Sequence, residues 1–236
     1  MSATKISLRS LKLGAGAHSS PAKGLCVMEA VAYFAGREHS DSPPCVSPAI
    51  AAFLRSWNDS LDEATRNRLL KPYIRKVMGT NTGRAEDENT RAWMATDWLV
   101  RVYAPAWLDV AGLQERADEL RVLQPLTSDE TVVAVRSVIE HAQEDASAAE
   151  PAARSAAWSA AESAAEPAAW SAAWSAAESA ARSAARSAAR SAAWSAAESA
   201  ARDVLAPVVP PLQRSALELL DRMIAVGKAS ADGGTR

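Results

Sequence analysis

Apolar positions recur at helical spacing from residue 24 to residue 146, and each run is closed by a glycine, a proline or a polar cap. From Gly24 the run LCVMEAVAYFAG is apolar nearly all round, which predicts a buried helix ended by Gly36. Ser47 and Pro48 supply an N-cap and a first-turn proline, and Ile50, Phe53, Leu54 and Trp57 make an i, i+3, i+4, i+7 face behind them. Ser60 with Glu63 reads as a capping box for a helix carrying Leu61, Ala64, Leu69 and Leu70, interrupted by Pro72 and stopped at Gly79. An acidic start at 86–88 leads into residues 91–103, where Trp93, Met94, Trp98, Leu99, Val102 and Tyr103 form the most apolar stripe of the chain, ended or kinked by Pro105. Thr127 with Glu130 reads as a second capping box, opening a helix with Val132, Val135, Ile139 and Ala142 on one face. Far downstream, VLAPVVPP breaks the periodicity. Leu212, Ala216, Leu219, Leu220, Met223 and Ile224 then mark a last amphipathic helix ended by Gly227, whose apolar face needs a partner and could find it on the 128–145 helix.

Between these parts the pattern changes to a four-residue repeat, SAAX, which fills residues 147–202 without an insertion. X is only Glu (150, 162, 166, 178, 198), Arg (154, 182, 186, 190, 202) or Trp (158, 170, 174, 194), and Pro151 and Pro167 replace Ser. Alanine has the highest helix propensity, so the tract is expected to be helical. Each step of four residues turns the X position by about 40°, and the X side chains therefore form a spiral with no single stripe. Trp158 and Trp194 coincide on the wheel about 54 Å apart, while Trp170 and Trp174 face nearly the other way, so no one straight helix covers Trp158, Trp170, Trp174 and Trp194 together. An apolar period of four would also demand an implausibly tight right-handed supercoil. The alternatives are an extended rod or a folded-back pair broken at Pro167. Glu178 with Arg182 and Glu198 with Arg202 have the favourable i, i+4 orientation, whereas Arg182, Arg186 and Arg190 stack like charges into the one concentrated basic patch of the repeat.

The expected architecture is all-α. It comprises an irregular arm at 1–23 with a short alternating piece (Ile6, Leu8, Leu11, Leu13), a helical domain at 24–146, the repeat at 147–202, a linker and docking helix at 203–227 and a disordered tail at 228–236. The net charge of −2 gives no global field for nucleic acid or anionic membrane. No signal-peptide core and no membrane-length apolar stretch is present, so a cytoplasmic location is expected. The cysteines, Cys26 and Cys45, then read as free thiols.

Candidate chemistry is sparse. Cys26 lies near a helix start, where a thiolate would be stabilised, and His39 and Asp41 follow, so a Cys–His–Asp set is the sharpest enzymatic reading. The competing reading makes Cys26 a small core residue. Cys26, His39 and Cys45, with His18 as a fourth, are the available zinc ligands, but their spacings match no usual zinc finger. Asp97 with Arg101 reads as an exposed ion pair, and Trp93, Trp98 and Trp107 as core. No phosphate loop, dinucleotide fingerprint, nucleophile elbow or zincin motif occurs, and no cofactor is implied.

CVMEAVAYFAG, SPAIAAFLRSWNDSL, LLKPYIRKVMGT and WMATDWLVRVYAPAWL, over about residues 24–111, resemble a family of uncharacterised proteins from high-GC bacteria and their phages. That resemblance implies no activity and carries over no functional residue. The SAAX tract is similar to the Ala-rich tandem repeats of many hypothetical proteins. The function expected is that of a non-enzymatic protein-interaction or scaffold protein, meeting a protein partner or itself through Trp158, Trp170, Trp174, Trp194 and the Arg182, Arg186, Arg190 patch. The alternatives are a small cysteine-dependent enzyme using Cys26 and His39, and weak nucleic-acid binding through those three arginines.

Overall fold

The computed structural model of the chain describes residues 6–148 and 206–228. The expectations for the SAAX tract, including Trp158, Trp170, Trp174, Trp194, Arg182, Arg186 and Arg190, lie outside the described residues except at its first two positions. The described residues are all-α, with no strand among them. The helices are α1 (Val27–Phe34), α2 (Pro48–Ser60), α3 (Glu63–Leu70), α4 (Tyr73–Lys76), α5 (Ala85–Trp98), α6 (Ala104–Val110), α7 (Gln114–Arg121), α8 (Asp129–Ala148) and α9 (Val209–Ala225), with a π-helical turn at Leu99–Tyr103. No helix among the described residues is long and apolar enough to cross a membrane.

Local chemistry explains most of the boundaries. Ser47 caps α2 by accepting from Ile50 N, with Pro48 in the first turn. Gly36 at φ 64° lets the chain leave α1 through a left-handed residue. The two expected capping boxes do not form, and other side chains cap these helices. Helix α3 is capped by Asp62, which accepts from Thr65 N at 2.9 Å, because Ser60 is still the last residue of α2. Helix α8 is opened by Ser128, whose Oγ accepts from Thr131 N at 3.4 Å.

Pro105 does not end the 91–103 helix. A proline has no N–H for the carbonyl four residues back, and its ring presses on that carbonyl. Here the preceding turn widens, Ala104 N–H donates to Leu99 O five residues back, and Pro105 falls in the first turn of α6. The wider turn rotates the face that follows. Leu99 and Tyr103 stay buried, whereas Val102, expected on the apolar stripe, is 39% exposed.

The core has two parts. The larger joins Val27, Met28 and Val31 of α1 to Ile50, Phe53 and Trp57 of α2, to Tyr103 and Trp107, and to Leu219, Leu220 and Met223 of α9. The smaller joins Val100, Leu108, Leu120 and Leu126 to Val132, Ile139, Ala142 and Ala146 of α8. Phe53, Trp57, Trp98, Tyr103 and Trp107 form a continuous run of ring contacts at centroid separations of 5.5–6.3 Å, most of them edge-to-face, as core aromatics prefer. Trp98 and Trp107 are therefore core, and half-buried Trp93 borders the smaller cluster. The docking helix chooses a different partner from the one expected. Helix α9 lies against α5, α2 and the π turn and contributes to the larger cluster, while the apolar face of α8 is taken up by the smaller one. The described part of the arm, from residue 6, forms no strand. It docks through buried Leu11 and Leu13 and through Gly14 N–H donating to Leu25 O at 2.9 Å.

Candidate functional site

Of the residues singled out in the sequence, Cys26, His39 and His18 meet at the N-terminus of α1, around Glu29. Cys26 is the N-cap of α1 in extended backbone, and its Sγ accepts from Glu29 N at 3.4 Å. Glu29 reaches back so that Oε2 accepts from Cys26 N at 2.7 Å, which closes a capping box with sulfur in place of a hydroxyl. The same carboxylate takes two bonds from the arm: Oε1 accepts from His18 N at 2.6 Å, and Oε2 meets His18 Nδ1 at 2.8 Å. His39 comes in from the loop after α1, its Nε2 donating to His18 O at 2.7 Å and lying 3.7 Å from Glu29 Oε1. The next free amide of the helix, Val27 N, donates to Asn58 Oδ1 at 3.1 Å, and Asn58 Nδ2 donates to Gly14 O at 2.8 Å.

Glycines make room for this arrangement. A Cβ on Gly14 would stand 2.5 Å from His18 Nε2, and one on Gly24 would stand 2.5 Å from His18 Cδ2, with Gly24 itself at φ +138°. The imidazole is thus clamped between two backbone segments.

Electrostatics here favour structure over nucleophilic chemistry. Burial pushes the Glu29 carboxyl up, but the hydrogen bonds from Cys26 N, His18 N and the His18 ring outweigh it, and the carboxyl rests below its ordinary value of 4.5. Burial pushes the Cys26 thiol from 9.0 up to about 12, the Glu29 N–H opposing this only in part and the Glu29 charge adding to it. A thiol with that pKa is not a thiolate at neutral pH, and reactivity follows the thiolate. Nor do the three expected residues form a relay. His39 meets His18 and Glu29, and Asp41 meets Arg55 Nη1 through its backbone carbonyl at 3.0 Å. His39 Nδ1 is buried without a hydrogen-bond partner.

Cys45 is half-buried in the loop before α2, where its carbonyl accepts from Gly79 N at 2.8 Å. Among the described residues no group of three His, Cys, Asp or Glu is placed to hold a metal ion, and this includes Cys26, His39 and Cys45. The Asp97–Arg101 pair forms at 3.1 Å, and both side chains are about a quarter exposed. The hub at Glu29 carried a legible signal, the Cys-x-x-Glu spacing of a capping box, masked because Cys seldom fills the cap.

No protein-family model matches the chain, no curated protein matches it, and no solved structure matches it.

Proposed function

We propose that this chain is a non-enzymatic helical scaffold that acts through protein contacts, with the helical domain and α9 as a platform for the segment between them. One observation carries this reading. Helix α9 buries Leu212, Ala216, Leu219, Leu220, Met223 and Ile224 in or beside the core formed by α1, α2 and α5, although residues 149–205 separate it from α8. The helices on either side of residues 149–205, α8 and α9, both pack on the helical domain, which supports reading the stretch between them as the part that meets a partner. A second support is negative. The best-formed polar cluster, at Glu29, spends its hydrogen bonds on joining the arm to α1 and leaves a protonated thiol beside them.

The cysteine-dependent alternative makes an opposite forecast for thiol chemistry. An electrophile at neutral pH is expected to label Cys26 only after unfolding, and His39→Ala is expected to leave that behaviour unchanged. Selective labelling of Cys26 in the folded chain, slowed by His39→Ala, would overturn the scaffold reading. In parallel, light scattering compares the chain with one in which residues 149–205 are replaced by a short Gly/Ser linker. An association lost with the segment assigns the contact to it, and one that persists assigns the contact to the platform.

A further inference from the structure

Charge is segregated along the described chain. Residues 6–84 hold eleven Lys and Arg against six Asp and Glu, whereas residues 85–148 hold five against thirteen. Ten of these eighteen charged groups pair with one another: Arg91 with Glu88, Asp97 with Arg101, Arg116 with Glu119 and Asp145, and Arg121 with Asp109 and Asp118. Among the charged groups without an ion pair, two sets line up as stripes along helices.

The basic stripe lies on α3 and α4. Lys71 and Pro72 join these helices in helical backbone, at φ −52°, ψ −42° and φ −59°, ψ −24°, so Arg68, Lys71 and Arg75 fall at i, i+3 and i+7 on one continuous path. Arg68 and Arg75 are exposed and Lys71 is half-exposed, and none has an ion-pair partner among the described residues. Exposed Pro72 sits beside them, and the Lys12–Glu63 and Lys76–Asp221 pairs flank them.

The acidic stripe lies on α8. Glu130, Val133, Ser137, Glu140 and Glu144 recur at steps of three and four and are all exposed, Val133 by 59%. None of the three carboxylates has an ion-pair partner among the described residues, and Arg136, the exposed cation beside them, forms no ion pair there either. Arg68, Lys71 and Arg75 stand three and four apart and Glu140 stands four before Glu144, so like charges repel within each stripe at a cost that an opposite stripe would remove. The rises match as well: Lys71 to Arg75 and Glu140 to Glu144 each advance about 6 Å. Both stripes also carry an exposed apolar residue, Pro72 on one and Val133 on the other.

We propose that the Arg68, Lys71, Arg75 stripe of one copy docks on the Glu140, Glu144 end of α8 in a second copy. This rests on the protein-contact reading above and names the partner. A net charge of −2 gives the chain no overall attraction to a polyanion, whereas the segregated charge is complementary to itself. The contact is heterologous, and it grows into longer assemblies unless its geometry closes.

The test is sedimentation velocity of the full chain over a concentration series at low and high salt, since screening lengths fall from about 30 Å at 0.01 M to about 8 Å at 0.15 M. Three proteins are compared: the wild type, the Arg68→Glu/Lys71→Glu/Arg75→Glu triple variant and the Glu140→Lys/Glu144→Lys double variant. The wild type is expected to associate at low salt and to weaken on the order of tenfold at high salt. Each variant alone is expected to be monomeric, and the equimolar mixture is expected to associate again, because each reversed stripe then meets its complement. Matching thermal melts, with Gln in place of the reversed charges as a milder set, separate loss of contact from loss of fold. A monomeric wild type at low salt, variants that associate like the wild type, or a mixture that stays monomeric would each overturn the proposal. So would a triple variant that loses affinity for a duplex DNA probe while the double variant self-associates normally. Association that survives the charge changes but vanishes when 149–205 is replaced overturns this contact and leaves the broader scaffold reading standing.

Discussion

The guanidinium of Arg91, buried without exposed surface, donates to Glu88 Oε1 at 2.5 Å, and between them the two residues tie the start of α2 to the end of α9. Arg91 Nε and Nη2 donate to Met223 O at 3.1 Å and Val226 O at 2.9 Å, while Glu88 Oε2 accepts from Ser47 Oγ at 2.6 Å and Ala49 N at 3.3 Å. A carboxylate thus faces a helix N-terminus and a cation faces a helix C-terminus, each favourable against the macrodipole. Arg91→Met is expected to cost about 1–3 kcal/mol, because the Met223 and Val226 carbonyls lose their donor and Glu88, a quarter exposed, loses its cation. Arg91→Lys is expected to recover only part of this, since an ammonium cannot reproduce the fork. Denaturant titration measures both, and a wild-type midpoint for Arg91→Met would contradict the account.

The two cysteines should separate in reactivity. Cys45 is half-buried and Cys26 is buried with its thiol pushed up to about 12, so a disulfide reagent at pH 8 should modify Cys45 first and Cys26 at the rate of unfolding. Because the folded pKa of Cys26 lies above its ordinary 9.0, its contribution to stability is present below pH 9.0 and is lost as pH rises from there to about 12.

Glu29 has the opposite sign. Its folded pKa lies below the ordinary 4.5, so its contribution is present above that value and is lost as pH falls through the folded pKa. Glu29→Gln is expected to cost about 1–3 kcal/mol at neutral pH and to flatten the stability profile below pH 4.5. Equilibrium unfolding of both proteins from pH 7 downward tests this, and parallel profiles would refute it.

Gly24 tests the clamp on His18. Gly24→Ala adds a Cβ 2.5 Å from the imidazole at φ +138°, and a loss of about 1–3 kcal/mol is expected. Gly36→Ala, at φ 64° with nothing within 4 Å of the new Cβ, should lose about 1 kcal/mol. Equal losses would mean that backbone strain alone, and not the packed ring, sets the cost.

Much of the all-α pattern was readable along the chain because caps and apolar spacing act locally: Ser47 with Pro48, Gly36 and the face of α9 stand where the pattern puts them. Two kinds of feature were hidden. Val102 left its stripe because Pro105 is accommodated by a π turn, which a 3.6-residue period does not anticipate. The Glu29 hub and the Arg91 bridge join residues distant in sequence, Glu29 with His18 and His39, Arg91 with Met223 and Val226, and only the assembled fold brings them together. The partner of α9 was misjudged for the same reason, since an apolar face says that it is covered but not by what.

The central claim is that α9 belongs to the same cooperative unit as α2 and α5 despite the long segment before it. Native-state hydrogen exchange on the full chain tests it most directly. The account predicts that the slowest amides of α9, around Leu219 to Met223, exchange with the same free energy as those of α2 around Phe53. Amides in α9 that exchange orders of magnitude faster while α2 stays protected would contradict it, and the platform would then be complete without its last helix.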